Sequence, residues 1–392
     1  MFQRTVLIFL VLIVGFAGHS QKNQLSPLSK ISLLTVGTGE ELAAKFGHSA
    51  IRFQDASLGI DEVYGYGTYD FEDPNFYLNF TRGKLAYTIS RMPFSYFKRS
   101  YEIEKRWVRE QELDLDLEKR TAIVVFLENN LLPENRKYQY DFLFDNCATR
   151  IPLVFEKTLG PSLQFNFSHL EEEFTFRELI HQNLEINSWS NFGIDLALGA
   201  VIDREATPYE LMFLPLYVYE QMKHTSLAGK PIVKRESVLV DIPPQSYPTP
   251  FLLSPIFWLL LLFLVVGFIS YKDHRAKKRT KWLDFVLFLL TGLAGLVIVF
   301  LWFFTDHDAT KMNFNVLWAF APNLFVAFLL IKNSVPNRIR WYILALLGFL
   351  ALTVLLWLIE FQVFSILLIF ILLSLALRYL FLWSYFNGQS NS

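Results

Sequence analysis

The chain's single cysteine, Cys147, stands in Asp145-Asn146-Cys147-Ala148-Thr149-Arg150, and the apolar run Ile151–Leu159 follows it. Aspartate and asparagine are residue types that open helices. The spacing predicts Cys147 near a helix N-terminus, where unpaired N–H groups and the helix dipole favour a thiolate, the nucleophilic form of cysteine. Pro152 moves the expected helix start toward Arg150, because a proline inside a helix clashes with the carbonyl four residues back. That shift weakens the dipole at the sulfur. A thiolate nucleophile needs a base. His48, in Phe46-Gly47-His48-Ser49-Ala50, follows a glycine at the mouth of an expected strand. His169, His181 and His224 lie in polar stretches without a comparable setting. A third group orients the imidazole in such sites. Tyr64, ahead of Asp61, suits that role if the Val63–Tyr66 run pairs with the His48 strand. The plainer alternative is a buried, inert cysteine and a surface histidine.

The elements that would position these residues mix strands and helices. Ile31–Val36, Ser49–Phe53, Val63–Tyr66 and Leu85–Ile89 are strand candidates, with Ile51 and Phe53 on one face and Ala50 and Arg52 on the other. Leu117–Leu131 has helical spacing and stops before Pro133. Thr207-Pro208-Tyr209-Glu210 reads as a capping box opening a helix that Pro215 should bend. Strands and helices come in runs, which favours an α+β domain. Gly65 and Gly67 make no dinucleotide fingerprint, since the third glycine and the following helix are missing. No Gly-x-Ser-x-Gly elbow, Walker motif or zinc spacing occurs.

Of 392 residues, 53% are hydrophobic and 19% charged, but the average hides a split. Residues 251–392 hold 16 charged residues in 142, and the rest hold 57 in 250. The first stretch is membrane-like and the second ordinary globular. A formal net charge of −1 without a basic domain argues against nucleic-acid binding. One cysteine cannot form an internal disulfide.

Residues 1–20 have the grammar of a signal peptide, with Arg4 before the apolar Val6–Phe16. Residues 243–250 are a proline-rich linker. Beyond it come five apolar stretches, about 252–270, 284–304, 315–331, 341–359 and 361–377, each long enough or nearly so to cross a bilayer. The first and third loops between them carry nine lysines and arginines, and the second only Lys311 against Asp306 and Asp308, so the positive-inside rule places the first and third in the cytoplasm. Residues 21–242 and the second loop, 305–314, then lie outside. Arg378 is expected to snorkel to the inner interface. The second loop, with Asp306, His307, Asp308, Asn313 and Asn315, suits an active-site rim, a metal site or a plain polar turn.

The order His then Cys, about a hundred residues apart, is that of circularly permuted NlpC/P60-like thiol enzymes. More closely, the chain resembles the Lnb-type lipoprotein N-acyltransferase family of Gram-negative bacteria. The matching stretches are Phe46-Gly47-His48-Ser49, Tyr66–Phe71, Pro74-Asn75-Phe76-Tyr77, Gly83-Lys84-Leu85, Asp145–Arg150 and Met212-Phe213-Leu214-Pro215, continued by His307, Asn313 and Asn315. The resemblance implies an α+β exported domain of permuted NlpC/P60 (papain-like) type over residues 21–242, followed by a five-helix transmembrane bundle over 251–392. It implies an inner-membrane thiol acyltransferase with its catalytic domain in the periplasm. The acyl donor would be a phospholipid and the acceptor the N-terminal amine of a lipidated lipoprotein. Cys147 would carry the acyl group as a thioester and His48 would move the protons. Arg150 and Asn146 would contact substrate, Arg150 through a phosphate. No cofactor or metal is expected. The competing readings are a cell-wall peptidase or amidase of NlpC/P60 type and a non-enzymatic membrane sensor.

Overall fold

The computed structural model describes residues 25–69, 72, 74–245, 248–332 and 334–390. The expected signal peptide, residues 1–20, lies outside them. The chain forms two compact units that interleave in sequence rather than following one another. The first takes the described residues up to Tyr69, then Ala86–Glu171 and Pro208–Gln245. The second takes Glu72–Leu85, Glu172–Thr207 and the chain beyond residue 246.

A seven-stranded antiparallel sheet organises the first unit. In space its order is β10 (Val233–Val240), β5 (Val108–Leu113), β1 (Lys30–Val36), β2 (His48–Asp55), β3 (Ile60–Thr68), β4 (Ala86–Pro93) and β6 (Lys137–Gln139). A smaller sheet joins β7 (Leu163–Phe165), β8 (Thr225–Leu227) and β9 (Lys230–Pro231). Strand alternation splits the side chains between two cores. On one face Ile51, Phe53, Tyr64 and Tyr66 pack with Ile123 and Leu127 of the Leu117–Leu131 helix. Ile151, Val154 and Phe155 of the Arg150–Leu159 helix join them. On the other face Leu34, Val36, Ala50 and Val63 pack with Phe97 of the Phe94–Ile103 helix.

The alternation of Ala50 and Ile51 and the bounds of Leu117–Leu131 agree with the sequence reading. That helix is capped as its sequence suggests, with the Asp116 carboxylate accepting from the Lys119 N–H at 2.8 Å. The expectation for Thr207–Glu210 is corrected. A short 3-10 turn spans Glu210–Phe213, and Pro215 is the first residue of the Pro215–Lys223 helix instead of a bend within one. Proline lacks an N–H and has a helix-ready φ, so the first helical position suits it.

In the second unit four helices are long and apolar enough to cross a membrane. They are Pro255–Ala276, Lys281–Phe303, Ile339–Leu358 and the one beginning at Leu368. The expected span at 315–331 is present but broken: it runs back along the Lys281–Phe303 helix, from Phe314 on Trp302 to the Leu330 carbonyl on Arg279. It contains a 3-10 turn, Phe314–Val316, and then an α-helix of eight residues, Asn323–Leu330. The helix alone reaches about 12 Å of about 30 Å of hydrocarbon, and the irregular backbone before it, packed against protein, covers the rest. Polar side chains explain the break. Asn315 donates to the Asp195 carbonyl at 3.1 Å and accepts from the Trp318 indole at 2.8 Å. Asn323, just after Pro322, donates to Thr291 at 2.9 Å and accepts from the Tyr342 hydroxyl at 2.5 Å. The backbone here lies directly against the Lys281–Phe303 helix. A Cβ on Gly295 would come 1.9 Å from the Ala319 carbonyl oxygen, and one on Gly292 2.2 Å from the Leu324 nitrogen.

Arg378 does not snorkel. It is fully buried. Its Nε donates to Asp284 at 2.6 Å and its Nη1 to Asp273 at 2.9 Å. Arg279 donates to the second Asp284 oxygen at 3.0 Å and to the Leu330 carbonyl at 2.7 Å. Two arginines and two aspartates thus form a neutral cluster that joins three of the long helices.

A second buried arginine ties the stretch 172–207 together, and Phe192 packs that stretch on Leu259 and Leu367. Arg177 donates to Asp195 at 3.0 Å, to Asp203, and to the carbonyl oxygens of Leu198 and Gly199. Asp203 in turn accepts from the Val363 N–H at 3.2 Å.

Candidate functional site

His48 is the first residue of β2 and pairs with Val36 at the end of β1. The glycine before it is required. Gly47 has φ +80°, and a Cβ there would meet the Val36 carbonyl oxygen at 2.7 Å. Cys147 lies in the turn just before the Arg150–Leu159 helix. The backbone N–H groups of Ser49, the residue after His48, of Cys147 and of Ala148 lie near enough to the Cys147 sulfur to favour its charged form. The structure therefore brings Cys147 and the start of β2 together. Among the described residues no hydrogen bond joins the His48 ring to the sulfur, and the backbone at Ser49 is the connection.

Two glycines of β3 make the room. A Cβ on Gly65 would lie 3.5 Å from His48 Nε2, and one on Gly67, which has φ +97°, would lie 3.8 Å from Cys147 Cβ. A Gly-x-Gly pair inside a strand marks a close approach. That signal was legible beside the dinucleotide fingerprint it fails to match. The Gly65 side opens into a cavity of about 310 Å³, whose walls include His48, Phe97, Tyr101 and Glu104. Tyr140 borders the cysteine, its ring 3.9 Å from the Gly67 Cβ position and stacked on Tyr87 at 4.3 Å.

Tyr64 is not placed to orient the imidazole. It alternates to the opposite face of the sheet, is buried, and donates its hydroxyl to Glu128 at 2.6 Å. Asp61 is held bidentate by Arg52, at 2.7 Å on each oxygen. Asn146 is also spent internally. Its side-chain oxygen accepts from the N–H groups of Ala148 and Thr149, and its Nδ2 donates to the Phe142 and Phe213 carbonyls. It holds the cysteine turn in shape and leaves little to offer a substrate. Arg150 forks onto Asp145 and lies over the Tyr138 ring at 4.1 Å, the ion-pair alternative to a phosphate contact. His169 stacks on His224 at 3.9 Å, and His181 bonds Asp195 at 2.8 Å. In the second loop His307 faces the Phe80 carbonyl, Asp306 pairs with Lys84 and Asp308 with Lys311.

The residue that sequence reasoning missed is Arg106, in the turn before β5. Its Nε donates to the Gly37 carbonyl at 2.7 Å, one residue past the strand partner of His48. Its Nη1 donates to Glu104 at 2.8 Å, and the guanidinium lies over the Tyr101 ring at 4.9 Å. Its Nη2 is buried and has no hydrogen-bond partner among the described residues. Nothing in Lys105-Arg106-Trp107 marks it, because its role comes from a turn closing over a strand end distant in sequence.

Electrostatics set the resting state. Burial, with the Arg106 charge behind it, lowers the His48 pKa to about 4. Burial raises the Cys147 pKa, against the three N–H groups and Arg106, which pull it down. The expectation of a favoured thiolate is thus corrected. The amide donors are present, but loss of water outweighs them, and thiol and imidazole both rest neutral at pH 7. A neutral imidazole is the form that accepts a proton.

Replacing Arg106 with glutamine should raise both pKa values, since the same cation lowers each. The rate of Cys147 alkylation against pH should shift its midpoint upward, with a loss of about three- to tenfold at pH 7. Arg106→Lys should restore most of it. A midpoint that stays put would remove Arg106 from the electrostatics of the sulfur.

Comparison with known families gives two matches. Residues 17–182 match the model of the Lnb N-terminal periplasmic domain, and residues 247–389 that of the Lnb transmembrane domain. No curated protein and no solved structure matches the chain.

Proposed function

We propose that this chain, which belongs to the Lnb family, is a lipoprotein N-acyltransferase of the cytoplasmic membrane that works through an acyl-thioester on Cys147. The observation that carries the reading is Cys147 beside the start of β2, with Gly65 under the His48 ring and Gly67 under the cysteine. The same chain carries four membrane-spanning candidates, which suits two substrates that are both lipids.

In the first half-reaction the Cys147 sulfur attacks a phospholipid ester carbonyl while His48 takes the thiol proton. The carbonyl oxygen becomes an oxyanion. The N–H groups of Ser49 and Cys147, which lie beside the sulfur, would donate to it. Collapse breaks the ester C–O bond, and His48 returns the proton to the departing lysophospholipid oxygen. In the second half-reaction the N-terminal amine of a diacylglyceryl-cysteine lipoprotein attacks the thioester. An amide forms, the C–S bond breaks, and the amine proton passes through His48 to regenerate the thiol. Arg106 keeps the imidazole neutral between turnovers and lowers the energy of the transient thiolate and oxyanion.

The substrate assignment is tested on lipoproteins from cells with and without this protein. Mass spectrometry of their N-terminal peptides should show the amide-linked acyl chain disappear when the protein is removed. Unchanged N-acylation would reject the assignment, and accumulation of uncleaved cell-wall peptides instead would favour the peptidase reading.

A further inference from the structure

The chain leaves the sheet between β3 and β4 for a short excursion, residues 72–85, that belongs to the membrane-spanning unit. It contains the helix Phe76–Thr81. Phe76 is buried, but Tyr77, Leu78 and Phe80 are 81%, 54% and 53% exposed. So much large apolar surface in six residues is unusual on a water-facing helix.

Its attachment says what covers it. Asp306 donates its N–H to the Arg82 carbonyl at 2.9 Å, the His307 ring contacts the Phe80 carbonyl at 3.2 Å, and Lys84 pairs with Asp306 at 3.7 Å. Gly83, at φ +69°, lets the strands of chain meet, since a Cβ there would lie 3.1 Å from the His307 nitrogen. These contacts fasten the excursion to the residues that directly follow the Lys281–Phe303 span. That end of the span is opposite the lysine- and arginine-rich loop 271–281, so it is the outer end. It closes with Phe303 and Phe304, both about two-thirds exposed. Trp302 stacks on Phe303 there at 4.8 Å, and tryptophan and tyrosine at a span end mark the level of the lipid headgroups. Tyr77, Leu78 and Phe80 continue that aromatic band, with the exposed Arg82 and Lys84 beside them, in reach of lipid phosphates.

We propose that the Phe76–Thr81 helix is an interfacial element that lies in the outer leaflet, with Tyr77, Leu78 and Phe80 inserted among the lipid chains and Arg82 and Lys84 at the phosphates. The occupant of this face is the bilayer, not a second protein. The inference stands on the membrane unit alone and does not depend on acyl transfer.

The test uses the full chain in nanodiscs of phosphatidylethanolamine and phosphatidylglycerol, with Cys147→Ser making Tyr77→Cys the one labelling site. An environment-sensitive fluorophore at position 77 should emit as in an apolar medium. Nitroxide lipids labelled near the headgroup should quench it several-fold more than aqueous iodide does. Strong iodide quenching with none from lipid would overturn the proposal, because the helix then faces water. Protection from both quenchers would also overturn it, because protein then covers the face. Leu78→Cys repeats the measurement should Tyr77→Cys fail to fold, and either site alone can refute the proposal.

Discussion

Cys147→Ala should abolish acyl transfer, by about a thousandfold or more, and leave the fold intact. The size follows from the role. Removing a covalent nucleophile deletes the pathway, and other groups cannot replace it. The small structural effect follows from the surroundings. The cysteine is half-buried, and its turn is held by Asn146, whose four hydrogen bonds do not involve the sulfur. Loss of one sulfur atom costs about 1 kcal/mol, a shift of a few degrees in thermal midpoint at most. Activity and melting are measured on the same purified sample. A variant that stays active removes the thiol from the mechanism, and one that unfolds reassigns Cys147 to the core.

Arg378→Met should be the most destabilising single change in the membrane unit. Arg378 is wholly buried and neutralises Asp273 and Asp284, which with Arg279 complete the cluster. Removing one partner leaves a buried charge uncompensated, which costs about 3–5 kcal/mol. Removing two of opposite sign need not. Arg378→Met combined with Asp273→Asn leaves the Arg279–Asp284 pair neutral, and the asparagine oxygen can still accept from the Thr280 N–H that Asp273 now binds at 2.8 Å. The double variant should regain most of the lost stability. Thermal unfolding of the detergent-solubilised chain measures both. A single variant as stable as the parent would mean that the cluster contributes nothing.

Much of the site was legible because it depends on local chemistry. Gly47 before His48 and Asn146 before Cys147 are signals of backbone geometry, and both do what those residue types do. The failures have a common cause in contacts between segments distant in sequence. Strand alternation itself rules out Tyr64, since 64 and 65 point to opposite faces and Gly65 is the one under His48. The resting charge of Cys147 turned on burial, which no spacing reveals. Hydropathy could count the apolar residues of 315–331 but could not see that Asn315 and Asn323 bond to Asp195 and Thr291, far off in sequence, where the helix breaks. For Arg378, a charge near a span end reads as exposed until its two aspartate partners, about a hundred residues earlier, are placed beside it. The interleaving of the two units was hidden for the same reason, since Asp203, Phe192 and His307 join stretches distant in sequence through hydrogen bonds and apolar contacts.

The proposed reaction turns on a covalent acyl group on Cys147. The measurement is intact and peptide mass spectrometry of the full-length protein after incubation with a phospholipid of one defined acyl chain and no amine acceptor. That acyl mass should appear on the peptide containing Cys147, be removed by hydroxylamine, be lost on adding a lipoprotein amine, and be absent in His48→Ala. Acyl transfer to the lipoprotein with Cys147 unmodified at every time point would contradict it.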